Sequence, residues 1–270
     1  MTDRVLAVIP VYGNDAMTHD LVADLTRERG LVDIAIVDNR GDYTPAGDEA
    51  VIRPGENLGW AGGTNHGTRA GMGPEHSAAL WLNNDTRLAE GCVAGLVRCS
   101  RETGAGLVGP FYDCWWNHQR LRRPVPVEDY RPRSRQVKVP FLDGTCMLVP
   151  RTTIDSIGLL DADTFAPLGW GADIDYGLRA RAAGFDLVVT RLAYLHHAKS
   201  VTGKTMFEGG VQEYGERGYP VAMAGLERKW GPSWREAAGV DAEMRRTRRP
   251  WFGRVRASRP RPASSASALE

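Results

Sequence analysis

The side chains of this 270-residue chain that can do chemistry stand at the ends of apolar runs. Ala79-Leu80-Trp81-Leu82 reads as a strand that runs directly into Asn83-Asn84-Asp85-Thr86. A strand end that carries amide and carboxylate oxygens to the edge of a sheet suits a hard divalent cation and a diphosphate. Asp85 is the candidate metal ligand, although Asn and Asp also close strands simply by making turns. Asp173 opens a helical pattern, where a carboxylate is either a plain N-terminal cap or a well-placed general base. Asp175, two residues on, cannot serve the same cap. His196 and His197 are either a metal ligand and its neighbour or a core and a surface histidine. Residues 57–67 are rich in glycine, which permits close backbone approach to a ligand and lets helix amides face an anion. Their spacing is not that of a dinucleotide fingerprint, which argues against a nicotinamide enzyme.

These groups need a scaffold, and the patterning supplies one. Val5-Leu6-Ala7-Val8-Ile9 is a β-branched apolar run of the kind buried in parallel sheets, broken by Pro10-Val11-Tyr12-Gly13-Asn14. Residues 15–29 carry apolar side chains at helical spacing, with Gly30 as a stop. A second strand over 32–37 ends at Asp38-Asn39-Arg40-Gly41-Asp42, so the two strand ends of a right-handed βαβ unit face one crevice. Further strands are expected at 51–53, 79–85, 106–110, 141–150 and 187–189, with helices over 89–103 and 174–183. Asp143-Gly144 reads as a turn or bulge at the site's edge. Residues 111–138 mix Tyr112, Trp115, Trp116, His118 and Tyr130 with six arginines, which suits sugar stacking and phosphate pairing as well as an ordinary surface loop. Residues 201–238 read as one or two helices packed back across the sheet or over an acceptor side.

Composition sets outer limits. The hydrophobic content of 42% and charged content of 25% are ordinary for a globular chain, and a net charge of +1 carries no partner information, because the positive charge is concentrated at one end; no nucleic-acid partner is expected. The four cysteines lack CxxC spacing, against a zinc knuckle or a disulfide framework. No apolar run reaches the roughly 18 residues of a membrane span, and the N-terminus is not a signal peptide, so a cytoplasmic location is expected. From Met244 to Pro262 there are eight arginines and no acids, with Trp251-Phe252 among them. Such a segment is either a solvated disordered tail or a peripheral contact with anionic lipid at the inner face of the membrane.

Taken in order, the segments Val8-Ile9-Pro10-Val11-Tyr12, Val37-Asp38-Asn39, residues 57–65, Leu82-Asn83-Asn84-Asp85, residues 143–148, residues 173–179 and His196-His197 resemble the family-2 glycosyltransferases of the GT-A fold. The closer likeness is to their bacterial rhamnosyltransferase-like and galactofuranosyltransferase-like branch, and it covers about residues 5–202. The resemblance implies an α/β fold with a Rossmann-like, mostly parallel sheet flanked by helices. It divides the chain into a GT-A domain over 1–202 (nucleotide-binding part about 1–110, acceptor-binding part about 111–202), a helical C-terminal extension over 203–243 and the arginine-rich tail over 244–270. It also implies roles. Pro10, Val11 and Tyr12 line the base of a nucleoside-diphosphate sugar and Asp38 hydrogen-bonds it; Asn57, Gly59 and Asn65 border the diphosphate and ribose. Asn84 and Asp85 stand at the metal-binding acidic motif, where Asp85 carries the charge for Mg2+ or Mn2+, and one of His196 and His197 completes the metal shell. Asp143, Gly144, Trp170 and Asp175 fall on the acceptor side, facing a carbohydrate or glycolipid. Asp173 stands at the base position; the residue before it, often Glu in the family, is Ala172 here. The implied reaction is sugar transfer to an acceptor hydroxyl, with inversion.

Three other readings compete. A retaining enzyme on the same fold shares the early motifs. A sugar nucleotidyltransferase would carry a basic glycine-rich loop after the first strand, where this chain has Pro10-Val11-Tyr12-Gly13-Asn14. A nucleotide- or membrane-binding module without catalysis would rest on the arginine-rich tail.

Overall fold

The structure, a computed structural model, describes residues 4–199 and 201–242. β1 (Arg4–Val11), β2 (Val32–Asp38), β3 (Ala50–Ile52) and β4 (His76–Leu82) are parallel neighbours in the order β3-β2-β1-β4. The Val5–Ile9 run of β1 is buried on both faces, as its unbroken apolar pattern requires. α1 (Asp15–Thr26) links β1 to β2, and α2 (Gly59–Gly71) precedes β4. Strand order reverses about β1, so the carboxyl ends of β1, β2 and β4 open onto one crevice, the place where open α/β sheets hold ligands.

Beyond β4 the sheet becomes mixed. β8 (Cys146–Pro150) pairs antiparallel with β4 and with β6 (Leu107–Phe111), and β6 pairs parallel with β9 (Leu187–His197). β5 (Thr86–Leu88) and β7 (Gln136–Lys138) both pair antiparallel with β9. The parallel expectation therefore describes the half built from β1 to β4, while the half beyond β4 mixes parallel and antiparallel pairs. β4 runs from His76 to Leu82 where 79–85 was expected, β5 and β7 were not expected, and two further spans differ from the sequence reading. Residues 141–145 are a buried loop, and only 146–150 form the strand expected over 141–150. β9 runs eleven residues, through the histidine pair, where three were expected.

α3 (Cys92–Thr103), α4 (Arg151–Ile157) and α5 (Ala172–Ala182) complete the layers, and α6 (Val201–Met206), α7 (Gly210–Trp230) and α8 (Trp234–Ala237) form the expected helical extension. α7 is fastened to the 161–175 segment. A Cβ at Gly218 would stand 2.6 Å from the Trp170 ring and one at Gly225 would stand 2.8 Å from Phe165, so the helix lies against both rings. Lys229 pairs with Asp161 and Asp175 at 2.6 and 2.9 Å, and the Trp230 indole donates to Asp175 at 2.9 Å. The arginine-rich tail lies outside the described residues. Among the described residues no helix is long and apolar enough to cross a membrane.

Candidate active site

A cleft of about 990 Å3 opens at the carboxyl ends of β1, β2 and β4 and extends to α5 and α7. One wall carries Pro10, Val11, Tyr12, Asn57, Gly59, Asn84 and Asp85, which the sequence had singled out, together with Asn39, Trp60 and Asn83. Asn39 is buried and pins the start of α2: its side chain donates to the Gly59 carbonyl at 3.2 Å and accepts from the Leu58 amide at 3.2 Å. Asn57 accepts from the Gly59 amide at 2.9 Å. Gly59 has φ 66°, and a Cβ there would stand 1.9 Å from the Pro167 carbonyl oxygen, so no other residue fits this turn. The later glycines of α2 do something other than meet an anion. A Cβ at Gly67 would stand 2.5 Å from Val8 and 2.6 Å from Val37, so this face lets the helix lie close on β1 and β2.

Two residues expected on this wall are turned elsewhere. The Asp38 carboxylate is buried and accepts from the backbone amides of Arg40, Gly41 and Tyr43 at 3.3, 2.7 and 3.0 Å, with Arg53 3.3 Å away. It closes the loop after β2 rather than facing the cleft. The Asn65 side chain exchanges two hydrogen bonds with Leu160, 2.8 and 3.0 Å, and locks α2 to the loop after α4. Asn84 lines the cleft, but its amide nitrogen donates to the Gly13 carbonyl and to Thr18, which braces β4 against the start of α1.

The end of β4 and the end of β9 meet at the cleft floor. Asp85 Oδ1 lies 3.1 Å from His197 Nε2. His196 is exposed on the other side of β9, because successive side chains alternate, so the histidine pair resolves to His197 and His196 has no place at the site. On its far side the His197 ring meets Thr145 Oγ1 at 3.4 Å. Thr145 Oγ1 donates to Asp143 Oδ1 at 2.5 Å, which also accepts from Tyr112 Oη at 2.5 Å and from the Thr145 amide at 3.0 Å. The single hydroxyl proton of Thr145 is thus committed, so toward the His197 ring the threonine can only accept, and Nε2 faces the Asp85 carboxylate. Two electron-rich atoms at that distance call for a proton or a cation between them.

A divalent cation fits. Adjacent ligands on an octahedron with bonds of about 2.1 Å stand about 3 Å apart, close to the observed 3.1 Å. Asn83 Oδ1 is buried at the cleft with no hydrogen-bond partner, a further free oxygen. Among the described residues no third His, Cys, Asp or Glu joins the pair. The remaining positions would fall to water and diphosphate oxygens, as Mg2+ sites commonly arrange.

Asp173 stands half-buried in the first turn of α5 and lines the same cleft. Its Oδ1 accepts from the Ile174 amide at 2.9 Å and its Oδ2 from the Gly144 amide at 3.0 Å. Burial first, and then the charge of Asp143, push its carboxyl from an ordinary 3.8 up to about 7, against the pull of the amide hydrogen bonds. A carboxylate poised near neutrality beside a cleft is matched to proton abstraction. A Cβ at Gly144 would stand 2.9 Å from Trp60 and 3.2 Å from Asp173, so the bare backbone at 144 holds the acid in place.

Asp143, Gly144 and Trp170, which the resemblance puts on an acceptor side, line the cleft with Trp115 and Trp116. Asp175 does not. It is wholly buried, paired with Arg179 at 3.0 Å and Lys229 at 2.9 Å, and ties α5 to α7. What the sequence reading left unassigned is the wall supplied by α6 and α7: Met206, Val211, Gln212, Tyr214, Glu216 and Tyr219 all line the cleft. Tyr214 packs edge-on against Trp170 with ring centroids 5.1 Å apart. Aromatics interspersed along a helical stretch were the available signal, but nothing local aims them at a site.

None of the protein-family profiles matches the chain. It is 41% identical over 240 residues, 89% of its own length and 90% of theirs, to uncharacterized proteins of Mycobacterium bovis (Mb1552) and of Mycobacterium tuberculosis (Rv1525). Its fold is similar to that in a crystal structure of GalNAc-T7 with UDP, GalNAc and Mn2+, with a TM-score of 0.57 at 13% identity over 73% of this chain. The chain spans 44% of that longer one. The architecture is thus of the GT-A type, a mixed nine-stranded sheet flanked by helices.

Proposed function

The chain belongs to one family with these mycobacterial proteins, and we propose that it is a metal-dependent glycosyltransferase that moves a sugar from a nucleoside-diphosphate sugar to a hydroxyl of a carbohydrate or glycolipid, with inversion. The observation that carries this reading is one cleft lined both by an Asp85–His197 pair and by a carboxyl poised at about 7 on Asp173. The structural neighbour's bound UDP, GalNAc and Mn2+ support the nucleotide-sugar donor and the divalent metal in this reading.

Asp173 takes the proton of the acceptor hydroxyl as that oxygen forms its bond to the anomeric carbon, and the bond from that carbon to the diphosphate oxygen breaks. The amides of Gly144 and Ile174 hold the carboxylate in place, so no reorganisation is needed at the moment of transfer. Mg2+ or Mn2+, held by Asp85 and His197 with Asn83 at hand, would offset the charge gathering on the departing diphosphate. Pro10, Val11, Tyr12 and Asn39 shape the nucleoside end, and Trp60 with Gly59 borders the sugar. Among the described residues the cleft is lined by no lysine or arginine.

The test is a thermal-shift panel of GDP, UDP and dTDP, each with and without Mn2+ or Mg2+. A ligand at 100 times its dissociation constant adds about 2.7 kcal/mol of stability. One nucleoside diphosphate that stabilises the protein only with metal is the expected result. A folded protein that responds to none of them would end the transferase reading.

A further inference from the structure

Resting on that reading, we infer that the acceptor is an uncharged hydroxyl compound with an apolar body beside its sugar, of the alkyl or aryl glycoside class, and that the cleft disfavours anionic acceptors. Two independent features of the cleft carry this. The first is charge. The ionisable groups lining the cleft among the described residues are Asp85, Asp143, Asp173, Glu216, His197 and two tyrosines, Tyr12 and Tyr219, apart from the ring-packed Tyr214. Asp143 stands next to Gly144, whose amide donates to Asp173, so an acceptor that approaches Asp173 meets a second carboxylate. The cations facing lining aromatics are already paired: Lys199, 5.8 Å from the Trp115 ring centroid, with Asp113 at 2.6 Å, and Arg40, 5.9 Å from that of Tyr12, with Asp42 at 2.8 Å. Among the described residues, a carboxylate or phosphate on the acceptor would meet like charge and no lysine or arginine on the cleft lining.

The second feature is apolar exposure. Three large hydrophobic side chains stand exposed among the described residues, and two of them, Trp115 at 53% and Val211 at 43%, line this cleft. Met206 and Pro220 continue the same surface from α6 and α7. Exposed apolar groups gathered at the mouth of a polar site stabilise a ligand that brings its own apolar surface. On the same lining, Gln212 donates to Glu216 at 2.8 Å. An amide and carboxylate side by side on a cleft wall suit the paired hydroxyls of a sugar.

The experiment titrates the donor-free protein with methyl β-glucoside, with octyl β-glucoside below its micelle concentration and with octyl β-glucuronide, following heat and tryptophan fluorescence. Octyl glucoside is expected to bind at least tenfold tighter than the methyl compound. The glucuronide, with the same tail and a carboxylate, is expected to bind at least tenfold weaker than octyl glucoside at pH 7.5. Trp115→Ala and Val211→Ser, both at exposed positions, should each weaken octyl glucoside binding severalfold with unchanged thermal stability. Equal binding of methyl and octyl compounds, equal or tighter binding of the glucuronide, or indifference to both substitutions overturns the inference. The nucleotide panel reads separately: metal-dependent nucleotide binding without selective octyl glucoside binding overturns the acceptor inference alone, while the reverse pattern overturns the transferase reading and leaves a neutral-glycoside site.

Discussion

Replacing Asp173 by asparagine should make the protein more stable and inactive at once. The carboxyl titrates at about 7 in the folded chain against an ordinary 3.8. Between those values the native state keeps a proton that the unfolded chain has released, so stability falls as pH rises through this window and levels off above it. At about 1.4 kcal/mol per pKa unit the full penalty is on the order of 4 kcal/mol, an upper bound because cleft water reaches the half-buried group. Asparagine removes the titration but turns an N–H toward the amide of Gly144 or Ile174, which now donate at 3.0 and 2.9 Å. A donor facing a donor costs about 1–3 kcal/mol. The variant should therefore exceed the parent by roughly 1–3 kcal/mol at pH 8 and fall below it by a similar amount at pH 4, the sum of these two effects. Urea denaturation followed by tryptophan fluorescence at pH steps from 4 to 8 reads this, and the difference between the two proteins isolates the Asp173 titration from other carboxylates. A difference that stays flat across the range would refute the elevated proton affinity. Transfer activity of the parent should rise with pH through about 7, as the base loses its proton, and normal turnover by the variant would remove Asp173 from the base position.

Three further outcomes test the site and its frame. His197→Ala should weaken Mn2+ binding in the presence of a nucleoside diphosphate by at least about tenfold, as loss of a metal ligand or its support does, while His196→Ala should leave it unchanged; electron paramagnetic resonance of free Mn2+ decides between them. Asp175→Asn breaks the buried contacts with Arg179, Lys229 and Trp230 and should cost about 3 kcal/mol in denaturant stability, with metal-dependent nucleotide binding retained per folded molecule; loss of binding at full stability would return Asp175 to the acceptor side. Gly59→Ala puts a Cβ 1.9 Å from a backbone oxygen at a φ of 66° and should lower the melting temperature by several degrees, a loss of at least about 2 kcal/mol; an unchanged melting temperature would mean the turn is not as tight as drawn.

Much of this protein is legible without coordinates, because local chemistry settles it. A β-branched run with no polar interruption, as in β1, can only be buried on both faces, and a strand that ends in Asn83-Asn84-Asp85 delivers oxygens wherever its sheet edge lies. Asp173 is legible for the same reason: the start of a helical pattern fixes where its carboxylate stands relative to the backbone. Choosing among chemically identical side chains is another matter. Asp38, Asn65 and Asp175 have the atoms of ligand-binding residues, but their partners are loop amides, Leu160 and a lysine 54 positions away, and only the fold brings those within 3 Å. Between His196 and His197 the period-two alternation of a strand makes the choice, and it needs the strand to extend that far. The aromatics of α7 carry no local sign of what they face. Their place on the cleft wall follows from long-range packing of that helix on Trp170 and Phe165, which the sequence spells only as two glycines. What a side chain can do is set by its type and neighbours along the chain; which partner it meets is set by contacts that close only when the whole sheet and its helices are assembled.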